Sequence, residues 1–277
     1  MLLGIDVGGT KIRISLISKN NKIIKSILIN TKYNNSKKEF FNYLTKSIKL
    51  FDLKQVTSIG FGIPSLVEHG FSGLSPNIPA INNMDFKKEM KKRLNKKVHV
   101  TNDANCFAYG EYLLNPNLKD KTLVGLTIGT GLGSGIIFKG NLINGLLGCA
   151  GEVGFVNHKS KQIKNYGSSR FFKEKNLDPQ DSAIKARKGV KKYVNLFKEF
   201  GREIGFVLSA YCDILAPDII MIGGGISKSR DLFEKDMMES FRKQVHPILA
   251  KKTIIEFSSN EDSPVIGAAN LHKLKYL

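Results

Sequence analysis

Along the first thirty positions, apolar residues alternate with polar ones or stand in short blocks, a period that predicts strands rather than helices. Leu2 to Val7, Ile12 to Ile17 and Lys22 to Ile29 read as three strands, with Gly8-Gly9-Thr10-Lys11 turning the first into the second. From Phe40 to Leu53 the spacing becomes helical. A buried strand around Thr57 to Gly62 follows, and then a long loop punctuated by Pro64, Pro76 and Pro79. A basic helix over Asp85 to Leu94 leads into the strand Val98-His99-Val100 and on to Asn102-Asp103, with Asp103 at the start of a further helix.

The same order of elements returns later in the chain. Leu123 to Ile128 is a strand, Gly129-Thr130-Gly131-Leu132-Gly133 a turn, Ser134 to Lys139 a second strand and Asn141-Leu142-Ile143 a third. Gly4-Ile5-Asp6-Val7-Gly8-Gly9-Thr10 can be laid on Gly125-Leu126-Thr127-Ile128-Gly129-Thr130-Gly131. A long helical stretch from Val190 to Leu215 precedes the buried strand Ile219 to Ile222, as a helix precedes Thr57 to Gly62. Two halves of one design are expected.

A glycine turn between two strands leaves backbone N–H groups uncovered by side chains, and such groups can hold phosphate oxygens. Neither turn fits the common phosphate loops. The chain has no GxxxxGK[ST], the glycines at 129–135 alternate rather than follow GxGxxG, and each turn leads into a strand where those loops open a helix. One such hairpin would be an ordinary turn. Two in matching places, one carrying Asp6 and Lys11, favour a nucleotide site gripped from both sides of a cleft.

Composition narrows the picture further. The chain has 277 residues, 42% of them hydrophobic, which suits one large or two medium domains. No apolar run is long enough for a membrane span, and Asp6 interrupts the first one, so a soluble cytoplasmic protein with no membrane partner is expected. Three scattered cysteines give neither a disulfide framework nor a CxxC pair. The net charge of +19 raises the question of nucleic acid. Yet the cations are overwhelmingly lysines at the spacing of solvated helix faces, with no arginine cluster and no interleaved aromatics. A basic surface that attracts small anions is expected, with no nucleic-acid partner.

Seven segments together resemble the ROK family of sugar kinases, within the actin/hexokinase-like superfamily of ATPases. They are Gly4 to Lys11, Gly60 to Pro64, Ser75 to Pro79, Asn102 to Cys106, Gly129 to Gly135, Gly148 to Gly154 and Ile222 to Ser227. The resemblance implies a two-domain actin-like (ribonuclease H-like) α/β fold, with mixed sheets flanked by helices and an interdomain cleft. The expected domains are 1–104, joined by a C-terminal helix 266–277, and 105–265. Family repressors carry an N-terminal helix-turn-helix; this chain starts at its first strand and is expected to lack one.

The implied activity is ATP-dependent phosphorylation of a hexose or hexose derivative, glucose first. The alternatives are a kinase for an N-acyl amino sugar or fructose, and a catalytically silent sugar-binding regulator. The implied partners are small molecules, a sugar and ATP, and a homodimer is common in such kinases. Asp103 is the candidate general base, although Asp also suits a plain helix cap at that position. Asn77, Asn102, Asp103 and Glu152 match sugar-binding positions, with a solvated loop acid as the other reading of Glu152. Asp6 is the candidate Mg²⁺ residue, acting through water. Gly8, Gly9, Thr10, Thr130 and Gly131 would meet phosphate, with Lys11 either beside them or merely solvated. Gly223, Gly224 and Gly225 would lie against the adenosine, or serve only to start a helix.

Many relatives hold zinc with one His and three Cys. Here Phe155 stands at the His position, and 164–173 contains no Cys, so the protein is expected to be zinc-free. His158 is expected to be solvated, and Phe155 to present an apolar wall. Lys173 stands where an acid is usual, with Glu174 one place away.

Overall fold

A computed structural model describes residues 1–274. The first sheet is built from β1 (Leu2–Val7), β2 (Lys11–Ile17), β3 (Ile23–Asn30), β4 (Ser58–Ile63) and β8 (Val98–Asn102) in the order β3-β2-β1-β4-β8. The hairpin strands pair antiparallel, and β1, β4 and β8 run parallel. Helix α1 (Lys37–Ile48) starts where the Ser36 hydroxyl accepts the Glu39 amide. The helix α2 (Phe86–Leu94) is capped by Asp85 and ends at Asn95 in the left-handed region. Both helices bury aromatic rings: Phe40, Phe41, Phe61 and Phe86 are fully covered, with ring centroids 5.3–5.5 Å apart. The loop expected at 64–84 holds a small sheet of β5 (Val67–Glu68), β6 (Phe71–Ser72) and β7 (Met84–Asp85). Two-residue strands are too short to leave a readable period.

Parallel pairing of β1, β4 and β8 brings three strand ends together. Asp6 lies opposite Gly62, and Ile63 opposite Asn102. Helix α3 (Asp103–Leu114) leaves directly from the last of these ends. It is held by α9 (Ser263–Asn270) through contacts that leave no room for a Cβ. One added at Gly110 would lie 1.8 Å from Ser263 O, and one at Gly267 1.8 Å from Cys106 O. The other side of α9 meets the sheet in the same way, with Gly4 against Val265 O at 1.9 Å and Gly60 against Ala268 O at 1.7 Å. The buried Glu111 accepts the Ser263 hydroxyl at 2.5 Å.

The chain forms two compact units. Among the described residues, one comprises 1–119, 135–150 and 260–274; the other comprises 120–134 and 151–259. The sequence reading placed a boundary after 104. The glycine contacts between α3 and α9 instead keep α3 with the first unit. The C-terminal helix, expected over 266–277, starts at Ser263, ends at Asn270 and passes into a 3-10 turn over Leu271–Lys273. Positions 275–277 of that expectation lie outside the described residues.

The second sheet takes β9 (Thr122–Ile128), β10 (Leu132–Phe138) and β11 (Asn141–Ile143), followed by β14 (Ile219–Gly223) and β15 (Ile254–Phe257). Its order, β11-β10-β9-β14-β15, repeats that of the first sheet strand for strand, as the internal repetition predicts. Between β11 and β14 come the two-residue strands β12 (Asn157–His158) and β13 (Lys161–Gln162). Next are the helices α4 (Arg170–Lys173), α5 (Pro179–Arg187) and the long α6 (Lys191–Leu215). Helix α6 joins a chain of buried rings, Phe171, Phe172, Phe197, Phe200 and Phe233. At Gly201 and Gly205 it meets α7 (Glu234–Gln244) and the residue before it, where an added Cβ would lie 2.5 Å from Phe233 O and Met237 O. The short α8 (Pro247–Lys252) then precedes β15. Among the described residues no helix is long and apolar enough to cross a membrane.

Candidate active site

Two carboxylates stand at the strand ends of the first unit. Asp6 is the penultimate residue of β1, and Asp103 is the first residue of α3. Asn102 performs the capping, since its Oδ1 accepts the Ala104 amide at 2.8 Å while its Nδ2 donates to Ser65 O at 3.2 Å. A plain cap therefore does not require Asp103, although its Oδ1 also accepts that amide at 2.8 Å. Burial lifts the Asp103 carboxyl to about 6 against the lowering effect of backbone hydrogen bonds. Asp6 is pushed up to about 7, by burial first and then by the charge of Asp103; Arg13, its pairing partner on β2, pulls the other way. The Arg13 guanidinium is itself tied to Asp262 at 2.9 Å and to Glu261 O.

Sequence reasoning missed what lies beneath this pair. Cys106, three residues after Asp103 and so on its face of α3, is fully buried, and that burial first, then the charges of Asp6 and Asp103, push its thiol up. A Cβ at Gly62 would come 3.0 Å from the Cys106 sulfur and 3.4 Å from Asp103 Cα. The sequence signal was the i, i+3 spacing.

The first hairpin turn commits one expected phosphate donor elsewhere, because the Gly8 amide closes the turn onto Lys11 O at 2.9 Å. Gly9 and Thr10 are exposed at its tip, and Lys11 is exposed beside them. Asn77 joins this group, with its Cβ 2.8 Å from where a Cβ on Gly9 would stand.

The second unit holds Thr130, Gly131, Glu152 and Gly223 to Gly225. Thr130 and Gly131 are exposed at the turn between β9 and β10, and a Cβ added at Gly129 or Gly131 meets nothing within 4 Å. The Gly223–Gly225 turn lies beside this hairpin. Gly224 takes φ +96°, and a Cβ there would sit 2.4 Å from Ile128 O, so both conformation and space require glycine. After it comes a 3-10 turn over Ile226–Leu232, and Gly225 is open to its surroundings.

Glu152 is half-buried and makes no side-chain cap on the 3-10 turn Val153–Phe155. Phe155 is 55% exposed, yet its face is occupied by the Lys164 ammonium at 3.8 Å from the ring centroid. The expected apolar wall is thus partly covered by a cation. Burial lowers the Lys164 ammonium, as does Arg170, while Glu152 raises it. Glu174 is salt-bridged to Lys161 at 2.7 Å.

His158 is not the solvated side chain that its sequence suggested. Its ring stacks on Phe206 at 4.0 Å, meets Tyr166 edge-on, and pairs through Nε2 with Glu203 of α6 at 2.8 Å. Lys159 reaches the other oxygen of Glu203. The partners were invisible in the sequence because they lie some forty residues away on a different element. Glu203→Leu would leave two donors without their acceptor and is expected to cost about 2 kcal/mol. Urea unfolding should show a lower midpoint at unchanged slope; an unchanged midpoint would mean that the pair contributes nothing.

With this geometry in hand, comparison with known proteins is direct. A sequence profile described as the ROK family matches residues 2–168 and 158–275. The chain belongs to the ROK family. A glucokinase of Thermotoga maritima is 26% identical over 307 aligned positions, covering 98% of this chain and 97% of that protein. An N-acetyl-D-glucosamine kinase of Histophilus somni is 29% identical, covering 84% and 87%. The ROK family glucokinase of Streptomyces griseus, solved in complex with glucose and AMPPNP, superimposes with a TM-score of 0.80 at 22% identity, with 98% of each chain covered. These likenesses establish the actin-like ATPase fold of this ROK protein.

The ROK resemblance implies magnesium, and the residues present suit it. Asp6 and Asp103 are two carboxylates held up by burial, a setting deficient in positive charge. Among the described residues no group of three or more His, Cys, Asp and Glu side chains could hold a metal. The Asp6–Asp103 pair would supply carboxylate oxygens to an ion that keeps most of its waters and takes its remaining contacts from phosphate oxygens.

Proposed function

We propose that this ROK protein transfers the γ-phosphoryl group of ATP to a hydroxyl of a hexose or hexose derivative, with glucose the first candidate. The supporting observation is the Asp6–Asp103 pair at the ends of β1 and β8, two parallel strands on either side of β4, where the ligands of open α/β sheets bind. Asp103 accepts the hydroxyl proton. A carboxyl near 6 is ionised at neutral pH yet more basic than an exposed one, which suits a general base. The N-terminus of α3 behind it favours the charged form. Asn102, locked by its two bonds, and Asn77 orient sugar hydroxyls, and Glu152 is assigned to the same task. Gly9, Thr10, Thr130 and Gly131 supply amide and hydroxyl donors to phosphate, and Gly225 leaves room for the nucleoside. Lys11 is placed to meet phosphate charge. Asp6 would hold magnesium through water, and that ion would neutralise the phosphate tail.

A second reading has an observation in its favour. Phe155 offers an exposed ring beside Lys164, a surface suited to the methyl and carbonyl of an N-acyl group. An ADP-release assay over glucose, fructose, mannose, N-acetylglucosamine and N-acetylmannosamine decides between them. Sugar-dependent ADP that EDTA abolishes and excess magnesium restores is the expected result, with no stoichiometric zinc in the protein. Sugar binding without turnover would instead identify a silent regulator.

A further inference from the structure

One buried polar cluster in the second unit has no part in the proposed chemistry. The carbonyl of Gly151 receives two hydroxyls, Ser134 Oγ at 2.5 Å and Tyr211 Oη at 2.9 Å, and the two hydroxyls also touch each other. Ser134 is 2% and Tyr211 6% exposed. Three elements meet here: the hairpin strand β10, the loop that carries Glu152, and the long helix α6. Gly151 takes φ +86°, and a Cβ on it would fall 2.8 Å from both Ser134 O and Ser134 Oγ. The residue before Glu152 thus needs glycine both for its backbone conformation and for space, and the hydroxyl pair bonded to its carbonyl fixes the peptide that leads into Glu152. The Glu152 charge acts on the same phenol. Burial first and then Glu152 hold Tyr211 well above the usual phenol range, so it remains a protonated donor at any working pH.

We propose that Tyr211 is a positioning residue for sugar binding: together with Ser134 it clamps the Gly151–Glu152 peptide and so aims the Glu152 carboxylate at sugar hydroxyls. This rests on the reading of Glu152 as a sugar ligand. A carboxylate that must accept from particular hydroxyls depends on small angular errors, and a rotating peptide beneath it would spread its aim. The phenol itself does not touch the sugar in this scheme.

Tyr211→Phe keeps the ring and removes only the hydroxyl. Calorimetric titration of the best sugar in the panel and, separately, of AMPPNP needs no turnover and reads the two sites apart. Tyr211→Phe is expected to weaken sugar binding about tenfold, equivalent to about 1.4 kcal/mol, and to leave AMPPNP affinity within about twofold. Ser134→Ala should shift the same affinity in the same direction, and Tyr211→Phe should add little on a Glu152→Gln background. A Tyr211→Phe protein that melts earlier but binds sugar as the parent does, while Glu152→Gln weakens it, overturns the clamp and leaves the Glu152 assignment standing. Equal loss of sugar and AMPPNP affinity also overturns it. If Glu152→Gln binds sugar normally, the Glu152 reading fails and the clamp fails with it.

Discussion

Asp103→Asn is expected to cut sugar-dependent turnover at least about a hundredfold while sugar and nucleotide still bind. The amide keeps the shape and can still accept the Ala104 amide, but it cannot take a proton from an alcohol. Loss of a general base costs about 10² to 10⁴ in rate, so kcat should fall by at least that range with little change in either KM. The pH profile carries the same information. Asp103 sits near 6, so kcat/KM in the parent should fall as pH drops below about 6, and this limb should vanish from the residual activity of the variant. Stability should move the opposite way. Asp6 and Asp103 titrate in the folded protein near 7 and 6, above ordinary carboxylates. Between the ordinary and folded values the native state holds more protons than the unfolded chain, so stability is lost as pH rises through that window. Removing one charge from the pair should therefore raise the melting temperature of Asp103→Asn at pH 8, with no such gain at pH 3. A variant that melts lower at pH 8 would show that the two carboxylates do not strain the fold.

The second large effect concerns what holds Asp103 in place. Gly60→Ala would set a methyl carbon 1.7 Å from Ala268 O, a backbone atom of α9 with no rotamer to yield. Either α9 moves off the sheet, taking its contacts with α3, or β4 distorts. The expected loss is at least about 3 kcal/mol, the upper end for overpacking, read as a marked fall in melting temperature and in soluble yield. Gly129→Ala is the control. Its Cβ meets nothing within 4 Å, so stability should change by less than about 0.5 kcal/mol. Equal stability of the two variants would refute the close packing of α9.

Most strands of the two sheets were legible because they are buried or periodic, whereas the four-residue, partly exposed β15 was not read from the sequence. The repeated order in the second half followed from laying Gly4–Thr10 on Gly125–Gly131, and both five-stranded sheets carry it. Local chemistry located Asp6 and Asp103, since an acid at the end of an apolar strand and an acid opening a helix each stand out. Other features were illegible for identifiable reasons. Gly8 read as a phosphate donor, yet its amide is used by its own turn, and sequence does not say which amide of a hairpin closes it. His158 read as solvated because Glu203 and Phe206 reach it from a distant helix. The Tyr211 and Ser134 hydroxyls, 77 positions apart, left no local pattern at all. The place of α3 depended on backbone contacts at Gly110 and Gly267, where the signal is the absence of a side chain.

The role given to Asp103 is tested most directly by following the γ-phosphoryl group itself. Phosphorus NMR of ATP with magnesium and the sugar panel, parent beside Asp103→Asn, reports the fate of that group. The parent should produce a sugar phosphate monoester in step with ADP, and the variant should produce both at least about a hundredfold more slowly. A monoester formed equally fast by Asp103→Asn, or ADP accompanied only by inorganic phosphate in the parent, would contradict phosphoryl transfer to a sugar with Asp103 as base.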